Sequence, residues 1–333
     1  MASHGSGPQR SDRNALRREL GQNFLQDKRV VRDLVSHVRG NGTNVLEIGP
    51  GKGAITRELV RSFETVTAVE IDPHWSAFLR DEFDDEKVEI LEGDFLDYYM
   101  SRDCDTIVSN VPFNITTQVL RHLLESTEWQ QAALIVQWEV ARKRAGQGSG
   151  TLLSVSWAPW YEFTLHNRVP ARSFRPMPRV DGGILTIRRR PRPLLPERAC
   201  AAFQDFAEAV FTGPGRGLAE ILRRHVPRRT YAALAQRLQI PDDGLPKDLT
   251  LVQWVALFEA ARPRYATGRG PVPTGSDSSS AAARESSGRT GPVTGGKRSG
   301  SSRGKRGTPR AQGRQALGRQ GARGSSYGRR TGR

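Results

Sequence analysis

Between residues 44 and 188, short apolar runs alternate with amphipathic segments, and this alternation limits the possible fold more than any other feature of the sequence. Short apolar runs are typical of strands buried on both faces, and the segments between them are long enough for helices. The pattern predicts an α/β fold, in which a parallel sheet carries helices on both faces. We predict strands at 44–48, 65–70, 87–91, 105–110, 132–137, 161–168 and 182–188, and helices at 28–39, 53–63, 73–83, 116–124 and 138–145.

The last two strands flank the Pro-rich stretch 170–178 and predict an antiparallel hairpin at the edge of the sheet. After them the apolar spacing is helical, and we predict helices at 197–212, 216–225, 229–238 and 250–261. The predicted organisation is therefore a flexible basic N-terminus at 1–19, an α/β domain at 20–192, a small helical domain at 193–264 and a disordered tail at 265–333.

A glycine-rich loop, Glu47-Ile-Gly-Pro-Gly-Lys-Gly53, follows the first predicted strand of the sheet. Glycines at this place let the backbone approach a ligand and turn tightly into a helix, so Gly49 and Gly51 are candidate ligand contacts. Glu70 ends the next strand, where a carboxylate can bind a ribose diol. The spacing Gly49-x-Gly51-x-x-Ala54 also fits a dinucleotide fingerprint, which leaves an NAD-linked oxidoreductase open at this point.

Two further observations favour S-adenosylmethionine as the ligand. Glu47 lies two residues before the first glycine and Pro50 lies inside the loop, which is common in S-adenosylmethionine sites. The third strand is followed by Gly93-Asp-Phe95, where Asp94 can accept a hydrogen bond from an adenine amino group. Ligands of open α/β sheets bind outside the carboxyl ends of the strands, so ligand-type residues at three consecutive strand ends favour a binding site.

The fourth strand ends in Asn110-Val-Pro-Phe113, a short motif with a specific chemical use. The side-chain oxygen of Asn110 and the carbonyl beside Pro112 can both accept hydrogen bonds from one exocyclic amine, and Phe113 can stack on a flat heterocycle. Two such acceptors favour a tetrahedral nitrogen and free its lone pair for attack. Asn-x-Pro also starts ordinary turns, so the motif alone leaves the structural interpretation open.

Six motifs in order, over about residues 12–262, resemble those of the ribosomal RNA adenine N6-methyltransferases. That superfamily includes the Erm enzymes of macrolide–lincosamide–streptogramin B resistance and the small-subunit dimethyladenosine transferases. The resemblance implies a Rossmann-like, S-adenosylmethionine-dependent methyltransferase domain. The motifs are Gly21-Gln-Asn-Phe-Leu25, Glu47-Ile-Gly-Pro-Gly-Lys-Gly53, Val69-Glu-Ile-Asp72, Gly93-Asp-Phe95, Asn110-Val-Pro-Phe113 and Phe174-Arg-Pro-Met-Pro-Arg-Val180.

The resemblance also implies a set of residues that bind the methyl donor. Asn23 and Leu25 would help to close its pocket. Gly49, with Gly51 beside it in the loop, would contact its methionine part. Donor contacts at the next three strand ends are implied for the residues Glu70 (ribose), Asp94 (adenine) and Asn110 (near the transferred methyl group).

For the substrate, the resemblance implies that Asn110 also holds the target amine and that Phe113 stacks on the target adenine. Phe174 would cover the base from the other side, although a phenylalanine between prolines also fits a loop anchor. The base must leave its stack to enter such a pocket, which is easiest at an unpaired nucleotide.

The identity of the RNA is predicted from Phe113, because the small-subunit enzymes usually carry Tyr there and actinobacterial resistance enzymes commonly carry Phe. We therefore expect methylation of 23S (large-subunit) rRNA and antibiotic resistance. The 16S (small-subunit) rRNA dimethyladenosine transferase is the alternative. A non-catalytic RNA-binding factor of the same fold is a further interpretation, and it predicts RNA binding that Asn110→Ala does not change.

The strong positive charge of the chain is concentrated at its end. Residues 268–333 contain 15 Lys and Arg but only two acids, a charge of +13 out of the total of +16. This Gly/Ser/Arg-rich tail lacks apolar residues for a core, which predicts disorder and loose binding to a phosphate backbone. The two isolated cysteines and scattered histidines predict no metal site, and the lack of long apolar runs predicts a cytoplasmic protein, by default a monomer.

Deletion of residues 268–333 should weaken RNA binding, because the tail carries most of the net positive charge, but should leave the chemistry intact. Filter binding over a salt series should show a smaller salt dependence for the truncated protein than for the full chain. Complete loss of methyl transfer by the truncated protein at saturating RNA would contradict this accessory role.

Overall fold

The structure is a computed structural model that describes residues 22–40, 43–83, 86–100, 104–126, 128–241 and 243–265. The predicted basic N-terminus at 1–19 lies outside these ranges, as does the predicted tail from residue 266 onward. Their predicted disorder and RNA contacts therefore stay predictions.

Strands alternate with helices along the first part of the described chain, as the sequence predicts. The strands in the described ranges are β1 (Phe24–Leu25), β2 (Asn44–Ile48), β3 (Thr65–Glu70), β4 (Val88–Glu92), β5 (Thr106–Asn110), β6 (Gln131–Gln137), β7 (Tyr161–Val169), β8 (Phe174–Arg175) and β9 (Gly182–Arg189).

Seven of these strands form one sheet in the order β4-β3-β2-β5-β6-β9-β7. The pairs among β4, β3, β2, β5 and β6 are parallel, whereas β9 is antiparallel to both β6 and β7. The α/β fold and the antiparallel hairpin at the sheet edge are confirmed. Because β9 lies between β6 and β7, β9 is the inner strand of the hairpin and β7 forms the edge of the sheet.

Ten α-helices lie in the described ranges, and nine of them fall where the apolar spacing predicts a helix. The exception is the sixth, whose short sequence gives too few turns for a helical period to appear. The helices are α1 (Lys28–Ser36), α2 (Thr56–Leu59), α3 (Pro73–Glu82), α4 (Thr116–Glu125), α5 (Trp138–Arg144), α6 (Leu152–Trp157), α7 (Cys200–Thr212), α8 (Leu218–Leu222), α9 (Arg228–Leu238) and α10 (Leu251–Tyr265).

A second, two-stranded sheet joins β1 to β8 and has no counterpart in the sequence prediction. Phe24 pairs with Arg175 and Leu25 pairs with Phe174, in antiparallel register. The backbone N–H of Gln26 also donates to the carbonyl of Ser173, at 2.9 Å. Strands of two residues are too short to show an alternating pattern, so only the tertiary structure reveals that the N-terminal segment is tied to the Pro-rich stretch.

Alternate residues of the central strands supply two separate hydrophobic cores, because successive side chains of a strand point to opposite faces. Val45 packs on one face with Leu34 of α1 and Leu59 of α2. Leu46 and Ile48 belong to the core on the opposite face. The predicted helical cover on both faces is therefore present.

The core that contains Leu46 continues without a break into the helices after residue 193. Phe203, Phe206 and Phe258 belong to the same cluster and are fully buried. Burial of each such ring contributes about 1.5–3 kcal/mol relative to its exposure. Residues 193–264 are thus distinguished from residues 20–192 by their secondary structure and not by a core of their own.

Glu47, near the end of β2, is buried beneath the glycine-rich loop. Its Oε2 accepts a hydrogen bond of 2.6 Å from the hydroxyl of Thr56 in α2, while Oε1 is buried without a partner. Burial raises the pKa of Glu47 to about 8, the nearby Glu70 carboxylate acts in the same direction, and the Thr56 hydrogen bond opposes both. The side chain is therefore protonated in the folded protein at neutral pH.

This pKa predicts a pH-dependent effect of Glu47→Gln on stability. Folded wild-type protein binds a proton here that the unfolded chain releases above its ordinary pKa, so this group makes wild type less stable as pH rises from about 5 to 8. Glutamine does not titrate. We expect the variant to gain about 3 kcal/mol, roughly 6–12 °C in Tm, relative to wild type between pH 5.5 and 8.5.

Thermal unfolding at both pH values measures this gain, with Glu89→Gln on the exposed side of β4 as the matched control. A Tm difference between Glu47→Gln and wild type that is the same at both pH values would contradict the assignment.

Candidate active site

A cavity of about 200 Å³ opens at the carboxyl ends of β2, β3, β4 and β5. The segments that follow all four strands line it, as the strand-end argument predicts. Most of the predicted site residues therefore meet in one place. Those that line the cavity are Asn23, Gly49, Gly51, Glu70, Asp94, Asn110, Pro112 and Phe113.

The other two predicted site residues, Leu25 and Phe174, pack in the hydrophobic core beside the cavity. Phe24 lines the cavity in place of Leu25, because successive side chains of β1 point to opposite sides. The sequence prediction missed Phe24. No local pattern could have found it, because a strand of two residues is too short to show which of its side chains faces the cavity.

The glycine-rich loop adopts the backbone conformation that makes glycine necessary. Gly49 has φ of +65° and Gly51 has φ of +54°, in the left-handed region that side chains other than glycine rarely adopt. A Cβ atom built on Gly49 or on Gly93 would meet no atom within 4 Å. Both glycines therefore leave open space at the cavity wall, which allows a ligand to approach the backbone.

Glu70 holds the glycine-rich loop in place through both of its carboxylate oxygens. Oε2 accepts from the N–H of Gly51 at 2.8 Å, and Oε1 accepts from the N–H of Asp72 at 2.9 Å. Burial raises the pKa of Glu70, and these backbone hydrogen bonds act against that rise. Since each carboxylate oxygen has a second acceptor site, Glu70 can also accept from a ligand hydroxyl at the cavity wall.

Asp94 lies at the exposed end of β4 and caps the short 3₁₀ helix Phe95–Asp97. Its Oδ1 accepts from the N–H of Leu96 at 2.9 Å, which fixes the direction of the carboxylate. Phe95 and Leu96 line the same wall of the cavity. A carboxylate flanked by apolar side chains suits a flat heterocycle that carries an amino group.

Asn110 is oriented by a hydrogen bond to the N-terminal segment. Its Nδ2 donates to the backbone carbonyl of Asn23 at 2.7 Å. A carbonyl can only accept, so the amide nitrogen must face Asn23 and Oδ1 must point elsewhere. This contact leaves Oδ1 as the acceptor that Asn110 can offer to a ligand.

The second acceptor in Asn110-Val-Pro-Phe113 is the backbone carbonyl that precedes Pro112, and not the carbonyl of Pro112. The carbonyl of Pro112 accepts from the N–H of Ile115 at 3.1 Å and helps to start α4. The carbonyl of Val111, directly before the proline, accepts no hydrogen bond within the described residues, and Val111 is one of the residues that line the cavity. The carbonyl beside Pro112 that is available to a ligand is therefore that of Val111.

Phe113 is half-buried at the cavity, whereas Phe174 is fully buried. Their ring centroids are 6.3 Å apart and the rings are nearly perpendicular. Phe113 thus has a free surface for stacking, and Phe174 supports it edge-on from the core. Its complete burial agrees better with the loop anchor that the sequence left open than with a second stacking surface.

The described residues that line the cavity include carboxylates, amides and aromatic rings but neither His nor Cys. Within the described ranges, no group of three or more His, Cys, Asp or Glu side chains is placed to hold a metal ion. A search of the same ranges finds no helix with the length and apolar character needed to cross a membrane.

Comparisons with known proteins identify the family to which the chain belongs. The family model described as "Ribosomal RNA adenine dimethylase" matches residues 13–262. The mycinamicin-resistance protein MyrB of Micromonospora griseorubida is 46% identical over 260 residues, which cover 78% of this chain and 82% of MyrB. An rRNA adenine N-6-methyltransferase of Corynebacterium diphtheriae is 43% identical over 251 residues, covering 74% of this chain and 95% of that protein.

Among solved structures, the crystal structure of the 23S rRNA methyltransferase ErmE superposes with a TM-score of 0.68 at 32% sequence identity. The match covers 72% of this chain and all of the ErmE chain. The residues that the family model matches include the α/β part and the helices that follow it. The chain belongs to the ribosomal RNA adenine dimethylase family.

Proposed function

We propose that this protein transfers methyl groups from S-adenosylmethionine to N6 of an adenine in 23S rRNA and thereby confers macrolide–lincosamide–streptogramin B resistance. The observation that carries the proposal is the placement of Asn110-Val-Pro-Phe113 at the cavity, with two acceptors and an aromatic face together. The names of the relatives support it, since one is a mycinamicin-resistance protein and another acts on 23S rRNA.

The residues that line the cavity suit S-adenosylmethionine. The open space at Gly49 and Gly93 would admit a ligand close to the backbone, Glu70 would accept from ribose hydroxyls, and Asp94 beside Phe95 would bind an adenine ring. When bound, S-adenosylmethionine supplies a methyl group activated by a positively charged sulfur. The chain itself must then hold the target amine and exclude water.

Oδ1 of Asn110 and the carbonyl of Val111 would accept the two N–H groups of the target amine. Both acceptors are fixed before the substrate arrives, Oδ1 by the hydrogen bond from Nδ2 to Asn23 and the carbonyl by the rigid proline that follows. Preorganised acceptors stabilise the charge that develops on the nitrogen as it attacks. The bond from N6 to the methyl group would form as the sulfur–methyl bond breaks, with S-adenosylhomocysteine as the leaving group. The methylated nitrogen would be cationic and acidic and would lose its proton to solvent after transfer, so the attack itself needs no general base.

Phe113 would stack on the flipped adenine. Each base stacked on an aromatic side chain contributes about 1–3 kcal/mol to binding. The buried ring of Phe174 would limit the movement of Phe113, because the two rings meet in a T-shaped contact with centroids 6.3 Å apart. Phe174 is thus proposed as a positioning residue for the base.

Contacts to the rest of the RNA would come from the exposed arginines of the Pro-rich stretch. Arg172 and Arg179 are both available at the surface beside β8, whereas Arg168 is engaged in an ion pair with Asp181 at 2.7 Å. Phosphate contacts of this kind position an RNA without reading its sequence. We therefore propose that the target nucleotide is chosen mainly by RNA shape around an unpaired adenine.

The proposed function is tested by transfer of labelled methyl groups to deproteinised 23S and 16S rRNA. We expect label in an adenine of 23S rRNA and at least a 100-fold loss of rate in Asn110→Ala, because one preorganised polar group is removed. Asn167→Ala is the matched control, since it loses only an exposed hydrogen bond to Asp33. Label confined to 16S rRNA would replace the proposal with the small-subunit function.

Substitutions of Phe113 test the stacking role separately. Phe113→Leu should lower kcat/KM for RNA by about 10- to 100-fold, the equivalent of one lost stacking contact, whereas Phe113→Tyr should retain most activity. Steady-state kinetics with RNA as the varied substrate measure both. Equal activity of the Leu and Tyr variants would show that the ring of Phe113 does not stack on the base.

A further inference from the structure

The N-terminal strap, residues 22–26, lies against the cavity. Gln22, Asn23 and Phe24 line the cavity, whereas Leu25 is buried in the core and the strap pairs with β8. A ligand in the cavity therefore contacts the strap and depends on its position. The contacts that hold the strap in place therefore affect how completely the strap covers a ligand in the cavity.

A cluster of Phe24, Lys52 and Trp75 fastens the strap to the glycine-rich loop and to α3. The ring of Phe24 lies so close to the loop that a Cβ atom on Gly51 would be 2.8 Å from its Cε1. Trp75 meets the Phe24 ring edge-on, with centroids 5.4 Å apart. The ammonium group of Lys52 lies 4.9 Å from the centroid of Phe24 and 5.5 Å from that of Trp75.

The strap also determines the orientation of the catalytic amide, through the 2.7 Å hydrogen bond from Nδ2 of Asn110 to the carbonyl of Asn23. If the strap moves away, this acceptor is lost and the Asn110 amide can rotate. Oδ1 then no longer has a fixed direction. The position of Phe24 and the direction of Oδ1 are thus connected through one residue of backbone.

We propose that Lys52 and Trp75 are positioning residues that couple closure of the strap over the methyl donor to the orientation of Asn110. The inference rests on the proposed function. Aromatic pairs and cation–π contacts together account for an effect of about tenfold on an equilibrium of this kind. The cluster would therefore act on donor affinity and on the rate at saturating donor.

Three variants and one control test this coupling. Lys52→Met removes the charge from an exposed side chain, so it leaves the core intact, while Lys52→Arg keeps a cation over the rings. Trp75→Leu removes the ring that supports Phe24. Phe78→Leu is the matched control, because Phe78 also contacts Trp75, with centroids 5.8 Å apart, but does not line the cavity.

Calorimetric binding of S-adenosylmethionine and S-adenosylhomocysteine without RNA gives donor affinity, and methyl transfer at saturating donor and RNA gives kcat. We expect Lys52→Met and Trp75→Leu to weaken donor binding about tenfold and to lower kcat several-fold, with Lys52→Arg and Phe78→Leu close to wild type. A merely structural role would lower Tm and leave kcat at saturation unchanged.

Donor affinity equal to wild type in both Lys52→Met and Trp75→Leu would overturn the inference and leave the proposed function standing. Weakened affinity with unchanged kcat would overturn the coupling to Asn110. Failure of the wild-type protein to bind S-adenosylmethionine would overturn the proposed function, and the inference with it.

Discussion

The site depends above all on the two hydrogen bonds that the carboxylate of Glu70 accepts from the backbone. They join the loop after β2 to the start of α3, across the ends of two parallel strands. The loop is held so that Gly51 contacts the ring of Phe24, while the space beside Gly49 in the cavity wall is free. A buried carboxylate is costly unless its oxygens are satisfied, so backbone and side chain stabilise each other. A ligand hydroxyl would then bind to an oxygen that is already fixed.

Much of the fold could be predicted from the sequence, because parallel strands buried on both faces leave short apolar runs that are hard to mistake. The central strands β2, β3, β5 and β6 begin and end within a residue of the prediction. The short strands β1 and β8 and the helix α6 could not be predicted, since none is long enough to show a period. The helix predicted at 53–63 is only Thr56–Leu59, because the glycines before it keep the chain in turns.

The sequence could predict that residues following parallel strands lie together, but it could not predict the contacts between residues distant in the chain. Glu70, Asp94 and Asn110 meet because the carboxyl ends of parallel strands share one edge, which sequence order alone implies. The contact of Asn110 with Asn23 joins residues 87 positions apart, and no local sequence pattern predicts it. The choice of the Val111 carbonyl over that of Pro112 likewise depends on where α4 begins. Function was therefore easier to predict than the way in which the site is held together.

The hydrophobic core that runs from Leu46 into Phe203 and Phe258 has a consequence for how the molecule unfolds and varies. Two segments that bury each other's rings lose those contacts together, so amide protection in the helices should follow global unfolding of the sheet. A substitution in these helices therefore also changes the stability of the strands that carry the site. Evolution of the helical part is limited by the sheet beneath it as much as by any RNA that it contacts.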